Sequence, residues 1–130
     1  GREKRDYVWL MARTPDLPEP DYQRAMAAIE RAGPKPVSDG ASTDTEGKHF
    51  FTDLGNNAIT VLRSDGQVET LVRDERLLWP DALSFGEPGW LYIAVNQLHR
   101  APPLNGGADG AELPYRILRV FTGTKGIAGR

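Results

Sequence analysis

A stretch of five residues, Ser38-Asp39-Gly40-Ala41-Ser42, recurs 42 residues later in the chain as Pro80-Asp81-Ala82-Leu83-Ser84. The aspartate and the last serine keep their places in both copies. The same spacing continues downstream, where Gly47 recurs as Gly89 and an apolar pair recurs as another apolar pair. A period in the low forties, with glycine turns and short apolar strands, is typical of the blades of a β-propeller.

The residues around these two stretches predict a meander of short antiparallel strands over residues 37–123. Asp65-Gly66 lies between two apolar segments and is a strong signal for a β-hairpin turn. The first repeat, about 37–79, offers four strands and the second, about 80–123, offers three. The predicted strands are 37–43, 48–54, 58–63, 67–72, 82–85, 90–95 and 116–121, with a long loop over 101–115 and a flexible tail over 124–130.

Residues 1–36 have a different pattern and predict one strand followed by one helix. The apolar run Tyr7-Val8-Trp9-Leu10-Met11-Ala12 is typical of a strand that is covered on both faces. Apolar residues at helical spacing then predict a helix from about 18–21 to 32, which Gly33-Pro34 would end. The predicted fold class is therefore mainly β with one α-helix: a partial β-propeller of about two blades, preceded by a strand–helix segment.

Composition excludes several classes of function. The 130 residues carry a net charge of −2 without a basic block, which argues against a nucleic-acid partner. No apolar run approaches the roughly 20 residues of a membrane-spanning helix. The chain has no cysteine, so disulfides and thiolate metal sites are excluded.

Two aspartates are the first candidates for a binding site. Asp39 and Asp81 each lie at the start of the innermost strand of a predicted blade, a position that faces the central channel of a propeller. They can bind a ligand or a metal there, or they can accept hydrogen bonds from local turn backbone, as aspartate often does. Calcium takes about six or more oxygen ligands. Asp39, Asp81 and Asn96 are too few, so no cofactor is predicted and calcium is the open alternative.

His99 is the other candidate ligand-binding residue, and packing at a blade end is its preferred interpretation. Nucleophilic catalysis needs a nucleophile and an orienting partner near the histidine. The chain has neither a Gly-x-Ser-x-Gly motif nor a cysteine, so no catalytic residue is predicted. The aromatic residues Trp79, Trp90, Tyr92 and Tyr115 can line a pocket for an amine, but packing between blades is the interpretation that we prefer.

Residues 37–123 are similar to the C-terminal part of the major royal jelly protein and Yellow family. The resemblance lies in Leu77-Leu78-Trp79-Pro80-Asp81-Ala82-Leu83-Ser84-Phe85, Asn96-Gln97-Leu98-His99-Arg100, Asn105-Gly106-Gly107 and Pro114-Tyr115-Arg116, and in Ser38-Asp39-Gly40 and Asp53-Leu54-Gly55-Asn56-Asn57-Ala58-Ile59 of the preceding blade. It implies a six-bladed propeller, periplasmic, in the cell envelope or secreted, that binds small ligands such as amines. Gluconolactonase-like propellers share the Asp-Gly pattern, and one such aspartate binds a divalent metal there.

Residues 6–33 resemble the C-terminal strand and helix of bacterial outer-membrane lipocalins. The resemblance rests on Asp6-Tyr7-Val8-Trp9-Leu10-Met11-Ala12-Arg13-Thr14-Pro15 and the helix that follows. It implies no ligand cavity, because the other seven barrel strands are absent. We interpret the chain as a gene fusion, a rearranged product or a fragment, with the boundary near residue 36.

Three functions follow from these patterns. The preferred one is a propeller fragment without independent catalytic activity. The second is a module that binds a small molecule such as an amine, completed when copies associate through exposed strand edges into a homo-oligomer. The third is a lactonase-like hydrolase that uses a divalent metal at Asp39.

Overall fold

The computed structural model describes residues 18–32 and 36–127. The chain divides into two compact units, 1–33 and 34–130. The described part of the first unit is helix α1, Glu19–Ala32, with Glu19 and Asp21 in its first turn. Carboxylates at this end of a helix interact favourably with the positive end of the helix dipole. The helix is confirmed, whereas the strand predicted over 7–12 lies outside the described residues. Within the described ranges, no helix is long and apolar enough to cross a membrane.

The second unit contains two antiparallel sheets. The first has four strands in the order β1-β2-β3-β4, and the second has three in the order β5-β6-β7. The mainly β fold of two blade-like sheets, with four and three strands, confirms the predicted fold class. The strands are β1 (Ala41–Thr43), β2 (His49–Asp53), β3 (Ala58–Leu62), β4 (Val68–Arg73), β5 (Pro80–Phe85), β6 (Trp90–Val95) and β7 (Arg116–Phe121).

The turn between β3 and β4 forms where the sequence predicts it. Gly66 has a φ of 85° in the left-handed region, which glycine adopts without a steric penalty. The Gln67 amide donates to the Asp65 carboxylate at 3.0 Å, and the Arg63 amide donates to the Gln67 carbonyl at 2.8 Å. The Asp-Gly pair therefore fixes the β3–β4 pairing locally.

The hydrophobic core lies between the two sheets. The first sheet contributes buried apolar side chains from its middle strands, and the second contributes alternate residues of β6. Because side chains alternate across a strand, this spacing gives one buried face. A T-shaped contact between Phe50 and Phe85, with ring centroids 5.3 Å apart, joins the two sheets. The buried members are Phe50, Ile59, Val61, Leu77, Leu91, Ile93 and Val95.

The segment after β7 returns to the first sheet. The Lys125 carbonyl accepts a hydrogen bond from the Thr45 amide at 2.8 Å, and the Ile127 amide donates to the Thr43 carbonyl at 3.0 Å. Asp44 forms an isolated β-bridge with Gly126. The prediction of a flexible tail over 124–130 did not anticipate these bonds to residues 124–127, because they join segments about eighty residues apart in the chain.

The inner strands β1 and β5 meet at Gly40. A Cβ atom at this position would lie 2.2 Å from the backbone oxygen of Asp81 and 3.0 Å from the Cα of Ala82. Backbone atoms cannot rotate away as the end of a side chain can. Glycine is therefore required where the two sheets approach, and this approach places Asp39 beside Asp81.

We expect Gly40→Ala to destabilise the second unit by about 1–3 kcal/mol, the usual cost of forcing an extra methyl group into a packed contact. Gly55→Ala is the matched control, because the nearest atom to its added Cβ is the Asp53 carboxylate at 3.8 Å. Urea denaturation of both variants measures the difference. Equal stability of the two variants would show that the inner strands are not in close contact.

Candidate functional site

The carboxyl groups of Asp39 and Asp81 interact at the start of the two inner strands. The pKa of Asp81 is raised above the ordinary range of aspartate, first by its hydrogen bond with Asp39, then by burial and by the like charge of Asp39. A hydrogen bond from Asn96 acts in the opposite direction. A like charge close to a carboxyl group disfavours its ionised form, which is why the neighbouring Asp39 raises the pKa of Asp81.

Asp81 lies in a β-bulge of strand β5. In the pairing of β5 with β6, Pro80 lies opposite Val95 and Ala82 lies opposite Ala94, so Asp81 is the extra residue. Bulges re-aim a side chain and occur often beside functional sites. The bulge also explains why the sequence predicted this strand to begin at 82, two residues later than it does.

The backbone around Asp39 is held by a threonine of the neighbouring strand. The buried hydroxyl of Thr52 accepts hydrogen bonds from the amides of Asp39 at 2.9 Å and Gly40 at 3.0 Å. The Asp39 carboxylate contacts side chains instead: it accepts from the indole nitrogen of Trp79 at 2.9 Å and pairs with Asp81. The described partners of the Asp39 carboxylate are therefore Trp79 and Asp81. The backbone amides of the local turn, which the alternative interpretation predicted as its partners, are not among them.

Trp79 connects the aspartate pair to His99. Its ring stacks on the His99 imidazole with centroids 6.0 Å apart and an interplanar angle of 16°. Its backbone has a φ of 56°, in the left-handed region that bulky residues rarely adopt. Such a conformation costs on the order of 1–3 kcal/mol and is found mostly at functional sites. The sequence named Trp79 only as one of four candidate aromatic residues and favoured packing for it, because neither its φ nor its contacts follow from local pattern.

Asn96 and Gln97 hold the loop that carries His99. The Asn96 side-chain oxygen accepts from the Leu98 amide at 3.0 Å, at the start of the short 3-10 helix Leu98–Arg100. The nearly buried Gln97 donates to the Glu112 carbonyl at 2.7 Å and accepts from the Glu112 amide at 3.1 Å. This pair of bonds ties the loop over 101–115 to the end of β6.

The structure thus places all four predicted ligand-binding residues in one region. Asp39, Asp81 and Asn96 interact directly, and His99 joins them through Trp79. The aromatic candidate Trp90 lies elsewhere, at the opposite end of β6 and against Phe121. Within residues 18–32 and 36–127, no group of three or more His, Cys, Asp or Glu side chains is arranged to hold a metal ion.

Comparisons with known proteins add little to this geometry. No protein-family model matches the chain, and no curated protein is similar to it. Among solved structures, selenomethionine-substituted virginiamycin B lyase from Staphylococcus aureus matches 46% of this chain at 18% identity with a TM-score of 0.42. The match spans 20% of the length of that protein. The fold assignment therefore rests on the sheet topology described above.

We expect Asp81→Asn to stabilise the second unit at neutral pH, by no more than about 1 kcal/mol because water reaches the pair. Because the pKa of Asp81 is raised by folding, its contribution to stability is full below the ordinary aspartate pKa and falls as the pH rises through the raised value. The gain from the substitution should therefore be present at pH 7 and vanish near pH 3. Thermal unfolding at both pH values measures it.

Asp65→Asn is the control for this substitution, since an Asn-Gly turn is as favourable as an Asp-Gly turn in a hairpin. A destabilised Asp81→Asn variant at pH 7 would contradict the repulsion between the two carboxyl groups.

Proposed function

We propose that the second unit binds a small organic cation, a protonated amine, at Asp39 and Asp81, and that it performs no chemistry of its own. The observation that supports this most strongly is the interaction of the two carboxyl groups, which raises the pKa of Asp81, beside the hydrogen bond from the Trp79 ring to Asp39. A bound ammonium group neutralises the negative charge of the two carboxyl groups, which otherwise repel each other. Opposite charge within about 4–6 Å favours the ionised carboxylate.

The geometry of the pair suits an ammonium group. Such a group presents three N–H donors that can point in different directions. Asp39 and Asp81 come from different sheets, so they can accept from two sides of the same nitrogen. Hydrogen bonds between charged partners are about twice as strong as neutral ones.

Trp79 supplies an aromatic surface next to the carboxylates. Its ring is fixed at one end by the hydrogen bond from its nitrogen to Asp39 and along its face by the His99 stack. Cations are attracted to the face of an indole ring more strongly than to other aromatic rings. Because the ring is already held in place, little conformational entropy is lost on binding.

The proposal extends to the origin of the chain. We take residues 37–123 to be a piece of a propeller similar to the royal jelly and Yellow family, and residues 6–33 to be a lipocalin-like C-terminal segment. The four-stranded and three-stranded sheets support a lineage of this kind for the second unit. The residues that carry the resemblance also include Asp39, Asp81, Asn96 and His99, which lie together in the fold.

Calorimetric titration of the full chain with tyramine at pH 7.5 tests the binding proposal. We expect binding that weakens at least ~10-fold in Asp39→Asn and in Asp81→Asn, since one hydrogen bond to a charged group contributes about 1.5–3 kcal/mol. Asp65→Asn should bind as the original chain does. Trp79→Phe, which loses the bond to Asp39 but keeps an aromatic ring, should bind at an intermediate level.

The affinity for tyramine in the same titration should change with pH in one predicted direction. Protons compete with the amine for the carboxyl pair, so affinity should fall as the pH decreases toward 4. Two results would overturn the proposal: tyramine binding that is equal in all four variants, or calcium binding that depends on Asp39 when no amine binds. The second result would favour the metal-dependent alternative.

A further inference from the structure

Gln97 lies between the two residues that connect the loop after β6 to the site. One residue before it, Asn96 forms a side-chain hydrogen bond with Asp81. Two residues after it, His99 stacks on the Trp79 ring, whose nitrogen is the donor to the second carboxyl group. Both carboxyl groups are therefore reached, directly or through the indole, from one short segment of the chain, and the placement of that segment decides whether these contacts form.

The backbone of Gln97 has a conformation that needs support. Its φ is 54°, in the left-handed region that residues other than glycine enter against a steric penalty. Its amide donates to the Leu78 carbonyl at 3.2 Å, and the Asn96 amide donates to the carbonyl of Trp79, which is also left-handed, at 3.4 Å. Such a penalty persists only where the surrounding contacts outweigh it.

The side chain of Gln97 supplies contacts of this kind. It is 6% exposed, and its amide nitrogen donates to the Glu112 carbonyl at 2.7 Å. Its amide oxygen accepts from the Glu112 amide at 3.1 Å and from the Arg100 guanidinium at 3.0 Å. The two bonds to the Glu112 peptide use both its N–H and its C=O, as paired residues of antiparallel strands do. Gln97 thus anchors the far end of the loop beside the segment that contacts the site.

We propose that Gln97 is the positioning residue of the cation site: its anchor to the loop peptide holds Asn96 and His99 in contact with the site. The inference rests on the proposed function and names a residue that controls the same site. Within the part of the chain that the structure describes, the Gln97 side chain bonds to neither carboxyl group, so it acts through its neighbours. Binding groups work only when supporting contacts hold them within about 0.5 Å of the productive geometry.

Two substitutions remove the anchor and tolerate the left-handed backbone. Gln97→Gly has no side chain, and glycine adopts a positive φ without a steric penalty. Gln97→Asn keeps the amide on a side chain one methylene shorter, and asparagine also enters this region. In calorimetric titration of the full chain at pH 7.5, we expect each to weaken tyramine binding about 3–30-fold, the usual effect of residues that support a site without touching the ligand. Circular dichroism should show that both variants keep their fold.

The pKa of Asp81 provides a measurement that needs no ligand. The hydrogen bond from Asn96 lowers this pKa, against the raising effects of Asp39 and of burial. Loss of the anchor releases Asn96, so the pKa of Asp81 should rise further in both Gln97 variants. NMR titration of the side-chain carboxyl carbon measures this change. A residue that contributed only to global stability would leave the pKa of Asp81 in the folded chain unchanged.

Glu112→Ala is the matched control, because it removes the ion pair with Arg100 at 3.0 Å and keeps the peptide that Gln97 binds. The Glu112 side chain is 77% exposed, and exposed ion pairs contribute little. We therefore expect the tyramine affinity and the pKa of Asp81 to stay close to those of the original chain.

Three results would overturn the positioning role. The first is an Asp81 pKa that is unchanged in both Gln97 variants. The second is an equal change in Glu112→Ala, which would assign the effect to the ion pair. The third is an effect of Gln97→Gly without one of Gln97→Asn, which would assign it to the flexible backbone of glycine. If the original chain binds no tyramine, the proposed function fails, and the pKa of Asp81 still decides whether Gln97 positions Asn96.

Discussion

The backbone contact between Gly40 and Asp81 is the constraint on which the second unit depends. A side chain at position 40 would meet the Asp81 carbonyl at 2.2 Å, so the two inner strands approach closely only because the residue is glycine. Behind this contact, the facing sides of the two sheets bury one core, joined by Phe50 and Phe85. The same contact also brings the carboxyl groups of Asp39 and Asp81 close to each other. The packing of the core and the arrangement of the site therefore both depend on the close approach of the two inner strands at Gly40.

The close approach of the two inner strands has an energetic cost. The Asp39 carboxyl group raises the pKa of Asp81, and a raised aspartate pKa weakens the folded state at neutral pH. Beside them, Trp79 keeps a left-handed backbone conformation that a bulky residue adopts only against a steric penalty. Both features lower stability, and neither improves the core. Proteins retain such features where activity needs them, since function and stability often compete. This combination is the physical reason for the binding site that we propose here.

The sequence predicted those features that local chemistry determines. Asp65-Gly66 forms its hairpin because the turn needs a residue with positive φ, and the 42-residue repeat placed Asp39 and Asp81 on equivalent inner strands. Their direct contact, the bulge at Asp81 and the left-handed Trp79 depend on how the two sheets pack, which no local pattern contains. The sequence did not predict the hydrogen bond between Gln97 and Glu112 for a similar reason, because the two residues lie fifteen residues apart on either side of a loop.

The most direct test of this account is an NMR titration of the aspartate side-chain carboxyl carbons in the full chain, with Asp39→Asn used for assignment. The account predicts that Asp81 titrates above the ordinary aspartate range, and that its pKa falls when Asp39 is replaced by Asn. The substitution removes the like charge, and the new amide can donate a hydrogen bond to the ionised Asp81 carboxylate, so both changes lower the pKa of Asp81. An Asp81 that titrates in the ordinary range, or whose pKa does not respond to Asp39→Asn, would contradict the interaction of the two carboxyl groups and the cation site proposed on it.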